Sequence, residues 1–300
     1  MPPILIVFIA LAAFLLLLPF FLLAPRAAGK RKRAPFVGRN FAHRGLYGRD
    51  GSVPENSLTA FARAADAGYG MELDVQLSRD GEVVVFHDDT LDRVCGVHAR
   101  VDELDLEELR RLRLCGTDEQ IPLFSEVLRL VNGRAPIIVE LKNGKRNKEL
   151  CRKTLNALRS YRGETCIESF NPFIVAWFRF HAPSVFRGQL AQPPQFYLQE
   201  GFSKTTGFLL GHLLMNAIAR PHFIAYRIGK KPLSVRFAEA LGAVRVAWTS
   251  HDPSSENRFD AVIFEHYRPK PRFRVSSGRS GVSAHNGKPE PPRQNDSRSE

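Results

Sequence analysis

The chain has 300 residues, of which 44% are hydrophobic and 25% charged. This composition excludes a collagen-like, coiled-coil or wholly disordered protein. The formal net charge of +12 would suit a nucleic-acid binder, but residues 26–33 contribute +5 and residues 269–300 contribute +4. The remaining body carries only +3, too weak a field for a polyanion, so we expect no nucleic-acid partner.

Residues 4–24 form an uninterrupted apolar segment without charge. Its length matches the ~20 residues that a helix needs to cross the hydrocarbon core. No charged side chain precedes it and the run is long, which favours an uncleaved anchor over a cleaved signal peptide. Residues 25–35 follow as a basic juxtamembrane linker, which can also contact anionic headgroups. The positive-inside rule then predicts a single-pass cell-membrane protein with a cytoplasmic body.

Four cysteines lie in the body of the chain: Cys95, Cys115, Cys151 and Cys166. They show no CxxC pairing and have no histidine partners at zinc-ligand spacing. Four cysteines in a chain of this length do not make a disulfide framework. We therefore interpret them as small packed residues in a reduced compartment, in agreement with a cytoplasmic body.

Residues 36–268 alternate between short apolar runs and amphipathic stretches. The strands predicted from these runs are 37–43, 71–77, 83–87, 137–141, 165–169, 185–190, 222–227, 244–249 and 261–264. Helices are predicted near 57–68, 103–114 and 147–160. Repeated strand-then-helix units over this length predict an α/β fold with a parallel sheet, namely a (β/α)8 TIM-type barrel.

The nine predicted strands are one too many for that barrel. Residues 78–81 are too few for a helical crossover, so the second and third strands are predicted to form an inserted antiparallel β-hairpin. A two-residue loop at 80–81 would place Asp74 opposite His87, whereas a loop at 79–80 would place Glu72 there. Because Glu72 and Asp74 share one strand face, either register brings the two carboxylates and the imidazole together.

Two further segments lie outside this pattern. Residues 208–219 are apolar but too short to cross a membrane, so we expect a core helix or a lid over the barrel. Residues 269–300 lack apolar content and are expected to be a disordered basic tail. This tail either solubilises the protein or makes a weak electrostatic contact.

Short polar motifs follow the predicted strands: HRG (43–45), PEN (54–56), ELD (72–74), HD (87–88) and ELK (140–142). The carboxyl ends of strands are where β/α barrels build active sites. Glu72, Asp74 and Glu140 offer the oxygen ligands that Mg²⁺ or Ca²⁺ prefers. Zinc is less favoured, because neither cysteine ligands nor an HExxH motif accompany them.

The same motifs supply cations and imidazoles. Arg44 and Lys142 can bind an anionic group, and His43 and His87 can divide the roles of general base and general acid. A metal, two cations and two imidazoles around one anion suit phosphodiester cleavage. Taken singly, each group also has a structural explanation, and the histidines outside the motifs are assigned structural roles: His98, His181, His212 and His251.

Taken in order, the motifs, with DGEVVVFHD at 80–88, closely resemble the signature of the glycerophosphodiester phosphodiesterase family, within the phosphatidylinositol-phosphodiesterase-like barrel superfamily. Segments 169–170, 246–249 and 259–263 agree with that family, so the resemblance covers about residues 38–268. It implies a TIM-type barrel, one divalent cation (Mg²⁺ or Ca²⁺), and hydrolysis of a small glycerophosphodiester to glycerol 3-phosphate and an alcohol. Attack by a glycerol hydroxyl, giving a cyclic phosphate, and direct attack by water both stay open.

The resemblance also implies roles for individual residues. It makes Glu72, Asp74 and Glu140 metal ligands, His43 and His87 the acid/base pair, Arg44 and Lys142 phosphate contacts, and Trp248 a substrate-side aromatic. Glu55 matches an acid that positions a histidine or contacts the metal. Ala261 and Glu265 replace the glycine and aspartate common in the family, from which we expect altered packing or substrate contacts without loss of activity.

Two alternatives remain open. A phospholipase C- or D-like enzyme acting on intact lipid is suggested by the membrane anchor and by residues 208–219, because fold alone does not fix a substrate. A non-catalytic membrane tether would use the anchor, the basic linker and the tail to bind partners. The sequence leaves the oligomeric state open.

Overall fold

The computed structural model describes residues 2–275. Its strands are β1 (Asn40–Ala42), β2 (Gly70–Leu77), β3 (Val83–Val85), β4 (Ile137–Leu141), β5 (Thr165–Ser169), β6 (Phe186–Ala191), β7 (Phe223–Arg227), β8 (Val244–Ser250) and β9 (Ala261–Phe264). Eight of them pair in parallel in the order β1-β9-β8-β7-β6-β5-β4-β2, and β1 pairs with β2 to close the sheet. The predicted eight-stranded parallel barrel is confirmed.

One helix, α1, precedes the barrel, and the other helices of the described chain surround it. They are α1 (Pro3–Leu23), α2 (Lys30–Arg33), α3 (Leu58–Asp66), α4 (Asp92–Cys95), α5 (Leu106–Arg110), α6 (Phe124–Val131), α7 (Asn147–Arg159), α8 (Pro172–His181), α9 (Pro194–Gln199), α10 (Lys204–Gly211), α11 (Asn216–Ala219) and α12 (Leu233–Ala240). The continuous helix predicted over 103–114 is wrong. Asp105 caps α5, and its own N–H donates to Glu108 Oε2 at 2.8 Å. This capping box starts the helix at Leu106, after a separate 3₁₀ turn.

The inserted hairpin is confirmed, but both predicted registers are wrong. Strand β3 pairs antiparallel to β2 with Val75 opposite Val85, and the loop has three residues, 79–81, closed by a bond from Ser78 N–H to Glu82 O. Gly81 has φ +89°, the left-handed conformation with which three-residue hairpin loops end. His87 therefore lies beyond the end of β3 rather than opposite a carboxylate.

Aromatic rings fill the amino-terminal end of the barrel. Phe36 stacks on Phe41 and on Phe186, with ring centroids 6.1 and 5.2 Å apart. Gly188 on β6 makes room for the ring of Phe223, since a Cβ at that position would lie 2.0 Å from it. This packing closes the amino-terminal end and leaves the carboxyl end for polar side chains.

Helix α1 is the one helix within residues 2–275 that is long and apolar enough to cross a membrane. Its last turn packs on α11 and α12, where Leu23 is buried, while most of the helix is exposed. Residues 208–219 do not form one helix: α10 and α11 are separated by a turn in which Leu213 has φ +59°. The two short helices pack on the outside of the barrel, α10 on α9 and α11 on α8.

Residues 269–275, which the sequence assigned to the tail, run beside β1. Asn40 N–H donates to Pro271 O, and Phe273 N–H donates to Gly38 O, each at 3.0 Å. These bonds satisfy backbone groups next to the short strand β1. The rest of the predicted tail lies outside the described residues.

Candidate active site

Three buried carboxylates meet inside the carboxyl end of the barrel. Residues alternate across a strand, so Glu72 and Asp74 of β2 face the same side, and Glu140 of β4 lies beside Asp74 in the parallel register. One oxygen from each lies within 4.8 Å of the others. Asp74 Oδ1 is buried without a hydrogen-bond donor among residues 2–275. Such a set of oxygens fits a hard divalent cation.

The charges at this site are unevenly balanced. Burial, together with the charges of Asp74 and Glu140, raises the pKa of Glu72 well above its usual range. Burial would also raise the pKa of Asp74, but His87, Lys142 and Arg44 outweigh it and hold that pKa well below the usual range. A cation at the centre of the three carboxylates would relieve their mutual repulsion.

A fourth carboxylate that the sequence analysis missed lies next to these three. Glu168 of β5 is paired in register with Glu140 and is fully buried, and within the described chain neither of its oxygens has a partner. Burial, followed by the charge of Glu140, raises its pKa well above the usual range. The sequence did contain a signal for Glu168: it lies on the strand next to Glu140, in a register that points both glutamates into the barrel.

His43 follows β1 and faces the carboxylates. Its Nδ1 lies 2.8 Å from Glu265 Oε2, and its Nε2 lies 4.0 Å from Glu72 Oε2. Burial would raise the pKa of Glu265, but its bonds with His43 and Tyr47 lower it to about 2. Glu265 is thus ionised, so His43 Nδ1 donates the proton and Nε2 faces the carboxylates. Burial also lowers the pKa of His43, which favours the neutral base.

Glu265 is a residue whose role sequence reasoning missed. Besides His43, it accepts a bond from Tyr47 Oη at 2.9 Å and lies 3.5 Å from His251 Nε2. Glu265, His251 and Trp248 line an opening of about 520 Å³ at the mouth of the barrel. His251, which was assigned a structural role, therefore lies at the site.

His87 belongs to a chain of charged contacts. Its Nδ1 lies 2.5 Å from Asp88 Oδ1, and Arg93 Nε donates to Asp88 Oδ2 at 2.6 Å. Arg93 also donates to both oxygens of Glu55, at 2.6 and 2.9 Å, and Arg44 Nη1 donates to Glu55 at 2.8 Å. Glu55 thus lies between two arginines. Asp88 and Arg93 were not singled out from the sequence.

Arg44 and Lys142 flank the carboxylates from just beyond the ends of β1 and β4. Arg44 Nε lies 3.6 Å from Asp74 Oδ2, and Lys142 Nζ lies 3.0 Å from Glu140 Oε1. The amide of Asn56 donates to Asp74 Oδ2 at 2.9 Å. Both cations are therefore within reach of an anion bound at the carboxylates.

Aromatic side chains lead from the mouth of the barrel to a cavity beside it. The rings of Trp248 and Phe170 are 5.3 Å apart. Phe170 also lines a mainly apolar cavity of about 400 Å³ with Phe173, Tyr197, Leu209, Leu210 and Met215. We call this space the side cavity. It can accept an apolar group attached to a molecule held at the carboxylates.

The fold and site define a class: a parallel β/α barrel with a buried carboxylate triad at its carboxyl end, flanked by two cations and two imidazoles. Residues 43–265 match the model of the glycerophosphoryl diester phosphodiesterase family. The chain belongs to this family.

Relatives of this chain include glycerophosphodiester phosphodiesterases and lysophospholipases D. A glycerophosphodiester phosphodiesterase from Caldanaerobacter subterraneus is 35% identical over 164 residues, covering 50% of this chain and 65% of the relative. A lysophospholipase D from Rattus norvegicus is 33% identical over 153 residues, covering 47% of each. The chain thus spans less than two thirds of these relatives.

Solved structures agree on the fold. A phosphodiesterase from Oleispira antarctica, in complex with the product sn-glycerol-3-phosphate, superposes with a TM-score of 0.62 at 24% identity, covering 76% of this chain and 93% of that one. A glycerophosphodiester phosphodiesterase from Thermotoga maritima gives a TM-score of 0.56 at 26% identity, covering 75% and 93%.

Proposed function

We propose that this protein is a metal-dependent phosphodiesterase that hydrolyses glycerophosphodiesters to glycerol 3-phosphate and an alcohol. The observation that carries this proposal is the buried triad of Glu72, Asp74 and Glu140, with ligand atoms within 4.8 Å of one another and the His43 imidazole beside it. Membership of the family supports the same reaction class.

The triad would hold one divalent cation, Mg²⁺ or Ca²⁺, which when bound neutralises charge on the phosphate group. Arg44 and Lys142 lie on either side of the triad and contact phosphoryl oxygens. The Arg44 guanidinium presents several donors, and Glu55 restrains it from the other side. These contacts stabilise the negative charge that develops as the phosphodiester is attacked.

The two histidines divide the proton transfers. His43 donates from Nδ1 to Glu265, so its Nε2 accepts the proton of the nucleophile, which is a glycerol hydroxyl or a water. His87 protonates the leaving alkoxide, and the Asp88 carboxylate 2.5 Å from its Nδ1 stabilises the imidazolium. Trp248 borders the opening through which the substrate enters.

The test is release of glycerol 3-phosphate from glycerophosphocholine and glycerophosphoethanolamine by the full chain in detergent micelles, with and without chelator. We expect release that needs the metal and falls 10²- to 10⁴-fold in His43→Ala. The exposed His98 provides the matched control, His98→Ala, which should keep full activity. Release unaffected by chelator or by His43→Ala would contradict the proposal. Metal binding without release would favour an intact lipid as the substrate, and the absence of both metal binding and release would favour the tether.

A second candidate is hydrolysis of an intact lysophospholipid. The side cavity favours it, because apolar residues line this space next to Trp248 and Phe170. Relatives named lysophospholipase D support the same substrate class. Burying each methylene contributes about 0.8 kcal/mol, so kcat/KM should rise about fourfold per added methylene until the cavity is full. A flat dependence on chain length would exclude this substrate.

We also propose the domain organisation and topology. Residues 4–24 would cross the cell membrane, residues 25–35 would lie at its surface, and residues 36–268 would form the catalytic body in the cytoplasm, followed by the tail. All four cysteines are free, as expected in a reducing compartment. Because Cys115 is exposed, a membrane-impermeant maleimide should label it only after the cells are permeabilised. Labelling of Cys115 in intact cells would indicate the opposite topology, with the body outside the cytoplasm.

A further inference from the structure

A group of positive charges lies where α1 joins the barrel, at the end away from the carboxylate triad. Its members are Arg26 and Lys32 of the linker, Arg179 at the end of α8, Arg187 on β6 and Arg220 after α11. We call them the basal cluster. Two of them contact His222: its Nε2 lies 3.5 Å from Lys32 Nζ, and its Nδ1 accepts a bond from Arg187 N–H at 3.2 Å.

The basal cluster has no acidic counterpart in the described chain. Within residues 2–275, none of its side chains lies within 4 Å of a carboxylate oxygen. Burial, followed by the charges of Arg26 and Arg179, lowers the pKa of Arg187 to about 10. Burial and the charges of Arg187 and Lys32 lower the pKa of His222 to about 3. The positive potential is therefore uncompensated.

Arg187 shows the imbalance most clearly. Its side chain is fully buried, and Nη2 donates to Arg220 O at 2.9 Å. Its Nη1 has no acceptor among the residues described. Buried charged donors without acceptors are costly and rare, so Arg187 adds positive charge that a nearby anion would offset.

The position of the basal cluster indicates which anion. Arg26 N–H donates to Pro221 O and Arg220 Nη1 donates to Ala24 O, each at 2.8 Å, so the end of α1 is fixed against the cluster. Arg220 stacks on Phe21, and Arg179 stacks on Phe180, which is 64% exposed. Paired cations and aromatic rings at the end of an apolar helix are typical of the headgroup level of a membrane.

We propose that the basal cluster binds the phosphate group of an anionic phospholipid. The guanidinium groups of Arg179 and Arg220 and the ammonium of Lys32 would donate to the phosphate oxygens. The bound lipid would hold the barrel in one orientation on the membrane. This inference goes beyond the proposed hydrolysis and depends on insertion of α1 alone.

The test is native mass spectrometry of the full chain released from detergent micelles that contain phosphatidylglycerol or phosphatidylcholine. We expect the wild-type protein to retain phosphatidylglycerol more tightly than phosphatidylcholine. The double variant Arg179→Gln/Arg220→Gln should lose about fivefold in affinity per arginine, by the usual contribution of one basic residue at an anionic surface. Arg152→Gln, at an exposed arginine of α7, is the matched control and should bind as the wild type does.

Equal retention of the two lipids, or an unchanged double variant, would overturn the proposal. Competition by inorganic phosphate at the same affinity as the lipid would also overturn it, because the site would then serve a soluble anion. A purely structural role, in which Arg179 caps the carbonyls of Ala217 and Ile218, predicts lower thermal stability without a change in lipid preference. Arg179→Lys/Arg220→Lys should restore lipid binding. Every variant should still release glycerol 3-phosphate. A loss of lipid binding with this release intact is therefore distinguishable from a failure of the proposed function.

Discussion

The imidazole of His43 joins Glu265 to Glu72. Its Nδ1 lies 2.8 Å from Glu265 Oε2 and its Nε2 lies 4.0 Å from Glu72 Oε2. A carboxylate that accepts a bond from one ring nitrogen of a histidine fixes the tautomer of the imidazole and the direction in which the other nitrogen faces. Glu265 is thus a positioning residue for the proposed base.

Replacing Glu265 by glutamine should lower kcat 10- to 100-fold with little change in KM. The amide keeps the shape of the side chain but removes the charge that stabilises the imidazolium of His43 and no longer enforces the tautomer. Glu265→Asp should recover much of kcat, because the carboxylate remains. The exposed Glu107 offers the control Glu107→Gln. A loss of thermal stability with kcat unchanged would show that Glu265 only packs.

The triad predicts how metal changes stability. A ligand at 100 times its dissociation constant stabilises the native state by about 2.7 kcal/mol, which for a domain of this size raises Tm by roughly 5–10 °C. Mg²⁺ or Ca²⁺ should therefore raise the Tm of the full chain. Glu72→Gln should abolish that rise while the metal-free Tm stays equal or increases, because one of three crowded carboxylates is gone. Differential scanning calorimetry of both proteins, with Glu107→Gln at an exposed glutamate as the surface control, measures the effect. An equal metal-induced rise of Tm in Glu72→Gln would show that Glu72 is not a metal ligand.

The triad could be predicted from the sequence because its geometry follows from strand periodicity. Glu72 and Asp74 are two residues apart on one strand, and a parallel neighbour places Glu140 beside Asp74. The hairpin register could not be predicted in the same way. A three-residue loop adds one residue to a two-residue loop and ends with a left-handed residue such as Gly81, and the sequence permits both.

The contacts that support His43 and Glu55 could not be predicted from the sequence, for a different reason. His43 and Glu265 are 222 positions apart and meet only because β9 closes the barrel against β1. Arg93 reaches Glu55 from α4, which follows the hairpin, across 38 positions. No local pattern encodes such pairs, whereas closure of the barrel brings them together.

The side cavity predicts that a substitution in its wall lowers activity on a lysophospholipid more than activity on glycerophosphocholine. Leu210→Trp should fill part of this space and lower kcat/KM for a long-chain lysophospholipid by at least tenfold, since several methylenes lose their contacts. Activity on glycerophosphocholine should stay within twofold, because Leu210 lies on the cavity wall and not at the triad. Steady-state kinetics with both substrates measures this ratio, and Leu233→Trp, at an exposed leucine of α12, is the control. Equal loss on both substrates would place the defect in folding rather than in the cavity.

His222 should make the protein less stable in acid. Its pKa is about 3 in the folded protein, against an ordinary value of 6.5, because burial and the neighbouring cations disfavour the imidazolium. Between these two values the unfolded chain binds the proton and the folded chain does not, so the free energy of unfolding falls as the pH falls below 6.5.

Lowering the pH from 7.5 to 5.0 should therefore remove about 2 kcal/mol of stability through this one residue. In His222→Asn, whose amide oxygen can still accept the bond from Arg187 N–H, this part of the acid dependence should vanish. Urea unfolding of the full chain in micelles at both pH values measures the difference between the two proteins. Above pH 7.5 that difference should be constant, since His222 is neutral in both states, and the same acid dependence in both proteins would show that His222 is charged when folded.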